Sequence, residues 1–175
     1  MFKKILVCLD GSSLTEQILP SAAEVALCSG SKVVLLEVTV PPGAVVQPLI
    51  GYYHATPLEK IQRDGEVAGE YLQRVAKRLR RKRLHVECVT LPGDPGKTIV
   101  NYATQNDIDL IALGTHGHSG LGRLVFGSVA DFVLKHSELP ILVRKPKETR
   151  KSLVCGTGPI HLLGSRGKPG EMGVR

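Results

Sequence analysis

Residues 108–136 run IDLIALGTHGHSGLGRLVFGSVADFVLKH, and the fold turns on how they are read. An aliphatic strand, 108–113, passes directly into a segment carrying five glycines, two histidines and an arginine, and a helix follows from about Ser128 to His136. Glycine leaves the backbone without a Cβ, so a ligand can approach it closely. A helix start presents unpaired amides and the positive end of the dipole, which together suit an anion, and Ser128 adds a hydroxyl donor. In an open α/β sheet, ligands sit beyond the carboxyl ends of the strands where the connections reverse direction. The stretch therefore predicts both a strand-to-helix unit of such a sheet and a phosphate site at its end.

Outward from that unit the same alternation repeats. A first strand is expected at 4–9, a turn at Asp10-Gly11-Ser12-Ser13, and a helix from about Leu14 to Leu27. Ser13 and Glu16 stand at capping-box spacing, and Pro20 either kinks the helix or marks where its regular part begins. Gly30 closes it, and a second strand follows at 31–40. After a long connection, Thr56-Pro57-Leu58-Glu59 opens a helix whose apolar face, Ile61, Ala68, Leu72, Val75 and Leu79, persists to about Arg81. A third strand is expected at 85–91, a helix from Asp94-Pro95 to about Thr104, and a short last strand at 140–144. Strands alternating with helices imply right-handed crossovers and a parallel sheet covered on both faces.

The chain has 175 residues, 42% hydrophobic, enough for one core; without tryptophan, that core must be aliphatic. No apolar run reaches the roughly 18 to 20 residues of a membrane span. Asp10 cuts short the apolar run that follows Lys3 and Lys4, so no signal peptide is read, and the expected location is cytoplasmic. Cys8, Cys28, Cys88 and Cys155 lack metal-like spacing and are expected to be reduced. The net charge of +7 is concentrated in 74–83 and after Arg144, without the interleaved aromatics that stack on single strands. Basic residues at a helix carboxyl end also suit the dipole, so nucleic acid is not the expected partner. From 146 to 175 the chain is basic, rich in Gly and Pro and without periodicity; it is expected to be a flexible tail beyond a domain at 1–145.

Gly93-Asp94-Pro95-Gly96-Lys97-Thr98 ends in the GKT of an ATPase loop. GxxxxGK[ST] requires a glycine where Leu91 stands, and Pro95 removes an amide that such a cradle would use. The segment is better read as a capped helix start.

The loop from Gly114 keeps its spacing. Gly114-x-x-Gly117, nine residues, then Gly127-Ser128 resembles the G-2x-G-9x-G-[S/T] nucleotide loop of the universal stress protein family. ILVCLDGS at 5–12, LLEV at 35–38, GDPGKTIV at 93–100, DLIALGTHG at 109–117 and PILVRK at 140–145 extend the resemblance over most of 1–145. It implies a single doubly wound α/β domain of the adenine nucleotide alpha hydrolase-like type, with a five-stranded parallel sheet of order 3-2-1-4-5. It further implies ATP as ligand, with Asp10 near ribose and adenine, the Val38 backbone at the adenine edge and Leu113 against base or sugar. Gly114, Gly117, Gly127, Ser128 and Val129 would hold ribose and phosphates. A homodimer through 140–144 and a nucleotide-dependent switch or binding role complete the expectation.

Several residues keep two readings. His116 and His118 are either paired metal ligands or loop histidines near a phosphate, and zinc would need a third ligand that spacing does not supply. Arg123 either neutralises phosphates or solvates the loop. Asp10 is a turn former or the carboxylate nearest a magnesium ion arriving with the triphosphate. Tyr52, Tyr53 and His54 lie in a connection that is a lid or a surface excursion. No catalytic residue is assigned. Slow ATP hydrolysis aided by His116 or His118, or a nucleotide-free interaction protein, stand as alternatives to the switch.

Overall fold

The first strand, β1 (Lys4–Leu9), is buried from Ile5 onward and alternates its side chains between two cores. Ile5, Val7 and Leu9 enter one core, and Leu6 and Cys8 enter the other. A strand buried on both faces must lie inside a sheet with helices above and below, and the computed structural model shows that arrangement. It describes residues 1–40, 58–115 and 127–145. The connection 41–57, the loop residues His116, Gly117, His118 and Arg123, and the tail 146–175 lie outside the described residues.

The remaining strands are β2 (Lys32–Thr39), β3 (Val86–Pro92), β4 (Leu110–Gly114) and β5 (Ile141–Arg144). All pair in parallel, in the order β3-β2-β1-β4-β5. Helices α1 (Leu19–Ser29) and α2 (Leu58–Arg80) pack on the face of Val7, while α3 (Pro95–Gln105) and α4 (Ser128–His136) pack on the face of Leu6. The expected doubly wound α/β sheet, order 3-2-1-4-5, is therefore observed. Its connections reverse direction between β1 and β4, leaving a crevice at the carboxyl ends of those strands.

Local signals act where they were expected, with one exception. Gly30 ends α1 with φ 66°, a left-handed conformation that costs glycine little. Asp94 caps α3 by accepting from the Lys97 amide at 2.9 Å, with Pro95 at the helix start, so GDPGKT is a helix cap. The Ser13–Glu16 capping box does not form. The chain first makes a single 3₁₀ turn, Thr15–Ile18, and regular helix begins at Leu19, just before Pro20. Ser12 displaces Ser13 from the capping role: its carbonyl accepts from the Glu16 amide and its hydroxyl from the Thr15 amide. The Glu16 carboxylate is drawn instead into an ion pair with Arg78 of α2.

The basic end of α2 is also tied into the fold. Arg74 lies over the Tyr71 ring at 5.9 Å, and Arg80 donates to the Val86 carbonyl at 2.7 Å. Cys8 is buried, Cys88 half-buried and Cys28 exposed, all as free thiols. Among the described residues, no helix is long and apolar enough to cross a membrane.

Candidate functional site

The crevice is a cleft of about 520 Å³, within the range of small-ligand sites. Its walls come from β1 (Cys8, Leu9) and Asp10 just after it, β2 (Leu36, Glu37, Val38), β4 (Leu113, Gly114), α3 (Ile99), and Gly127 with the start of α4 (Ser128, Val129). Of the residues singled out in the sequence, Asp10, Val38, Leu113, Gly114, Gly127, Ser128 and Val129 all line this one cleft. They span more than a hundred positions of chain, and the order of the sheet brings them together.

Each wall has its own chemistry. Leu36 and Val38 at the end of β2, with Ile99 beneath them, form an apolar slot. The Cys8 thiol lies at its floor, and burial pushes the thiol pKa up to about 12, so it stays neutral and behaves as a small apolar group. The opposite end of the cleft is the start of α4. The first helical bond there runs from the Asp131 amide to the Gly127 carbonyl, so the amides of Ser128, Val129 and Ala130 precede the helical ladder. Among the described residues, no side chain caps this helix. The Gly127 amide donates to the Thr115 carbonyl, which pins the helix start to the end of β4.

Between the slot and the helix start lies Asp10. Gly11 turns the chain back with φ 77°, a conformation glycine adopts readily. That turn brings the Ser12 amide to Asp10 Oδ1 at 3.0 Å. The Thr15 hydroxyl donates to the same oxygen at 2.6 Å, the shortest contact its single proton can make. Thr15 is buried, lines the cleft and faces Gly114: a Cβ built on Gly114 would lie 3.5 Å from Thr15 Cα.

Among the cleft residues not singled out in the sequence, Thr15 and Glu37 bear most on its chemistry. Glu37 lies beside Leu9 in the β1–β2 register, and its Oε2 is buried without a hydrogen-bond partner among the described residues. Burial raises its pKa, and the neighbouring Asp10 charge raises it further. A charged residue inside the aliphatic run VVLLEV was the available signal for Glu37. Thr15 carried no signal, because its contact with Asp10 depends on the 3₁₀ turn. Among the described residues no three His, Cys, Asp or Glu side chains converge to hold a metal ion by themselves.

Comparisons with known proteins agree with this architecture. The family model described as "Universal stress protein family" matches residues 1–145. Universal stress protein MJ0531 of Methanocaldococcus jannaschii is 31% identical over 149 residues, 85% of each chain. Among solved structures, a universal stress protein in complex with cAMP superposes with a TM-score of 0.57 at 20% identity, covering 83% of this chain and 98% of that one. A family protein from Arabidopsis thaliana with AMP bound superposes with a TM-score of 0.54 at 18% identity, covering 85% and 94%. At those identities the two structures speak for the fold. The family match over nearly the whole described chain, with the relative sharing 31% of its residues, makes this chain a member of the universal stress protein family.

Proposed function

We propose that the chain is an adenine-nucleotide-binding module that takes ATP with Mg²⁺ and acts as a homodimeric switch or binding protein in stress responses. The observation that carries this reading is one cleft joining an apolar slot, a fixed carboxylate and a helix start that no described side chain caps. The order of these walls matches that of a nucleotide. The base would lie against Leu36, Val38 and Leu113, the sugar near Asp10, and the phosphates at Gly114 and the amides of Ser128 and Val129. The helix dipole and unpaired amides stabilise the phosphate charge. Related family structures that hold cAMP and AMP support an adenine nucleotide.

The other assignments are proposals on the same footing. Gly117, His116, His118 and Arg123 would complete the phosphate side from the loop. Magnesium would bridge phosphate oxygens, with Asp10 the nearest carboxylate. The domain would be 1–145 with a separate tail, and the dimer would form through 140–144, where β5 pairs on one side with β4. A cytoplasmic location accords with this role. Hydrolysis forms no part of the reading. It would enter only if ATP turnover were found that disappears in His116→Ala or His118→Ala while binding persists.

The deciding experiment is calorimetric titration with ATP and Mg²⁺ beside a Gly117→Val, Gly127→Val double variant. Micromolar binding, roughly −8 kcal/mol, should be lost in the variant. No heat and no thermal shift at millimolar ATP in the unaltered protein would overturn the assignment.

A further inference from the structure

The end of the sheet opposite the cleft carries a concentration of positive charge. Helix α2 closes there with Arg80, and the turn Arg81-Lys82-Arg83 leads through buried Leu84 toward β3. The turn is tightly wound, for the amides of Lys82 and Arg83 donate to the carbonyls of Leu79 and Arg80, each at 2.9 Å. Lys77, Arg81, Lys82 and Arg83 are exposed, and their side chains make no hydrogen bond or ion pair among the described residues. Their neighbours Arg78 and Arg80 are bound within the fold, to Glu16 and to the Val86 carbonyl.

Arg83 is held at φ 64°, in the left-handed region that glycine occupies at little cost and other residues rarely adopt. The chain places glycine at the corresponding point after α1, where Gly30 has φ 66°. After α2 it keeps a cation in that conformation, and a residue held against the preference of its backbone points to a use for its side chain.

The shape of this end indicates the partner. Strands β3, β2 and β1 begin level with one another, since Val86 pairs with Val33 and Lys32 with Lys4. Exposed Lys3 and Lys32 carry the positive surface from the turn across these strand starts. Of the carboxylates nearby, Glu87 is paired with Lys32, and Asp109 accepts from the amides of Lys3 and Lys4. Asp107 and Glu138 precede β4 and β5, on the far side of the sheet end. A level, positive end meets a planar anionic surface over its breadth, whereas it touches a rounded duplex only along a line. Among the described residues no phenylalanine or tyrosine is exposed, so unpaired bases would find no ring to stack on.

We propose that this end of the molecule is a peripheral docking surface for anionic phospholipid bilayers, held to the headgroups by Lys77, Arg81, Lys82 and Arg83. Docking is electrostatic and reversible. It leaves the cleft, roughly 20 Å away along the six residues of β1, open to solution. The inference is therefore independent of the nucleotide reading.

The test is co-sedimentation of the full chain with mixed phosphatidylserine–phosphatidylcholine vesicles and with phosphatidylcholine alone, beside a titration with duplex DNA. Each cation near an anionic surface contributes about fivefold in partitioning. Arg83→Gly should therefore lower partitioning onto the mixed vesicles about fivefold, with Tm unchanged or raised because glycine suits the conformation. A merely structural arginine would lower Tm on substitution and leave partitioning unchanged. The pair Arg81→Gln, Lys82→Gln should cost about 25-fold. The pair Lys97→Gln, Lys135→Gln, which removes the same charge from exposed positions on α3 and α4, should cost little. Raising salt from about 0.1 M to about 1 M, which shortens the screening length from about 10 to about 3 Å, should release the protein. Equal uptake by mixed and neutral vesicles, or equal losses in the two double variants, would overturn the proposal. Binding to duplex DNA without uptake by the mixed vesicles would overturn it in favour of nucleic acid.

Discussion

Replacing Gly96 with alanine should destabilise the protein, although the same change inside an ordinary helix stabilises it. Gly96 is the second residue of α3, and a Cβ there would lie 2.7 Å from Cδ1, 2.8 Å from Cγ and 3.0 Å from Cβ of Phe132. Carbon atoms in contact sit about 3.5–4.0 Å apart, so α3 and α4 would have to separate locally by about 0.5–1 Å, or Phe132 leave its place. Phe132 also stacks on His136, with ring centroids 4.0 Å apart, so moving it disturbs a second contact. Overpacking of this kind costs about 1–3 kcal/mol, against a helix-propensity gain of at most about 1 kcal/mol. The net expectation is a loss of up to about 2 kcal/mol, a fall in Tm of up to roughly 8 °C for a domain of this size.

Urea unfolding of Gly96→Ala, Phe132→Ala and the double variant supplies the assay. Alanine removes Cγ and Cδ1, the two atoms that collide most closely, so the two changes should be coupled, with the double variant more stable than the sum of the single changes predicts. Because α4 also carries Ser128 and Val129 into the cleft, Gly96→Ala should weaken ATP binding as well. A Gly96→Ala protein at least as stable as its parent, or an absence of coupling to Phe132, would refute the packing argument.

Other substitutions probe the cleft and its supports. Gly114→Ala should leave stability within about 0.5 kcal/mol, because the new Cβ would meet Thr15 and the Arg144 carbonyl at ordinary distances of 3.5–4.0 Å. Titration with ATP should nonetheless show weaker binding, and unchanged affinity would mean that no ligand approaches the backbone there. Glu37→Gln should stabilise the protein at pH 7.5 more than at pH 4. The folded-state pKa of Glu37 is raised by burial and by Asp10, so the stability associated with its protonation is present below its unfolded value of about 4.3 and is lost as pH rises through the folded value. Urea unfolding at the two pH values checks this, and an equal effect at both would rule it out. Asp94→Ala should cost about 1 kcal/mol by removing the cap on the Lys97 amide, as measured by thermal unfolding.

The membership of strands and helices was legible because periodicity and end signals are local. Aliphatic runs at β1 and β4, Gly30 closing α1 and Asp94-Pro95 opening α3 act within a few residues, and the structure retains them. The Ser13–Glu16 box failed for a tertiary reason. Arg78, sixty-two positions away, takes the Glu16 carboxylate, while Ser12 serves the turn that positions Thr15.

Gly114, Gly127 and Asp10, which line the cleft, stood out in the sequence, because a bare backbone at a strand end and a carboxylate at another are properties of single segments. Their convergence depended on β1 lying between β2 and β4, an order that pairing across the sheet decides. Glu37 acquired its raised pKa, and Thr15 its hold on Asp10, only when the chain had brought separate segments together and excluded water from them. Burial and hydrogen-bond geometry belong to neighbours in space, and no single stretch of sequence contains them.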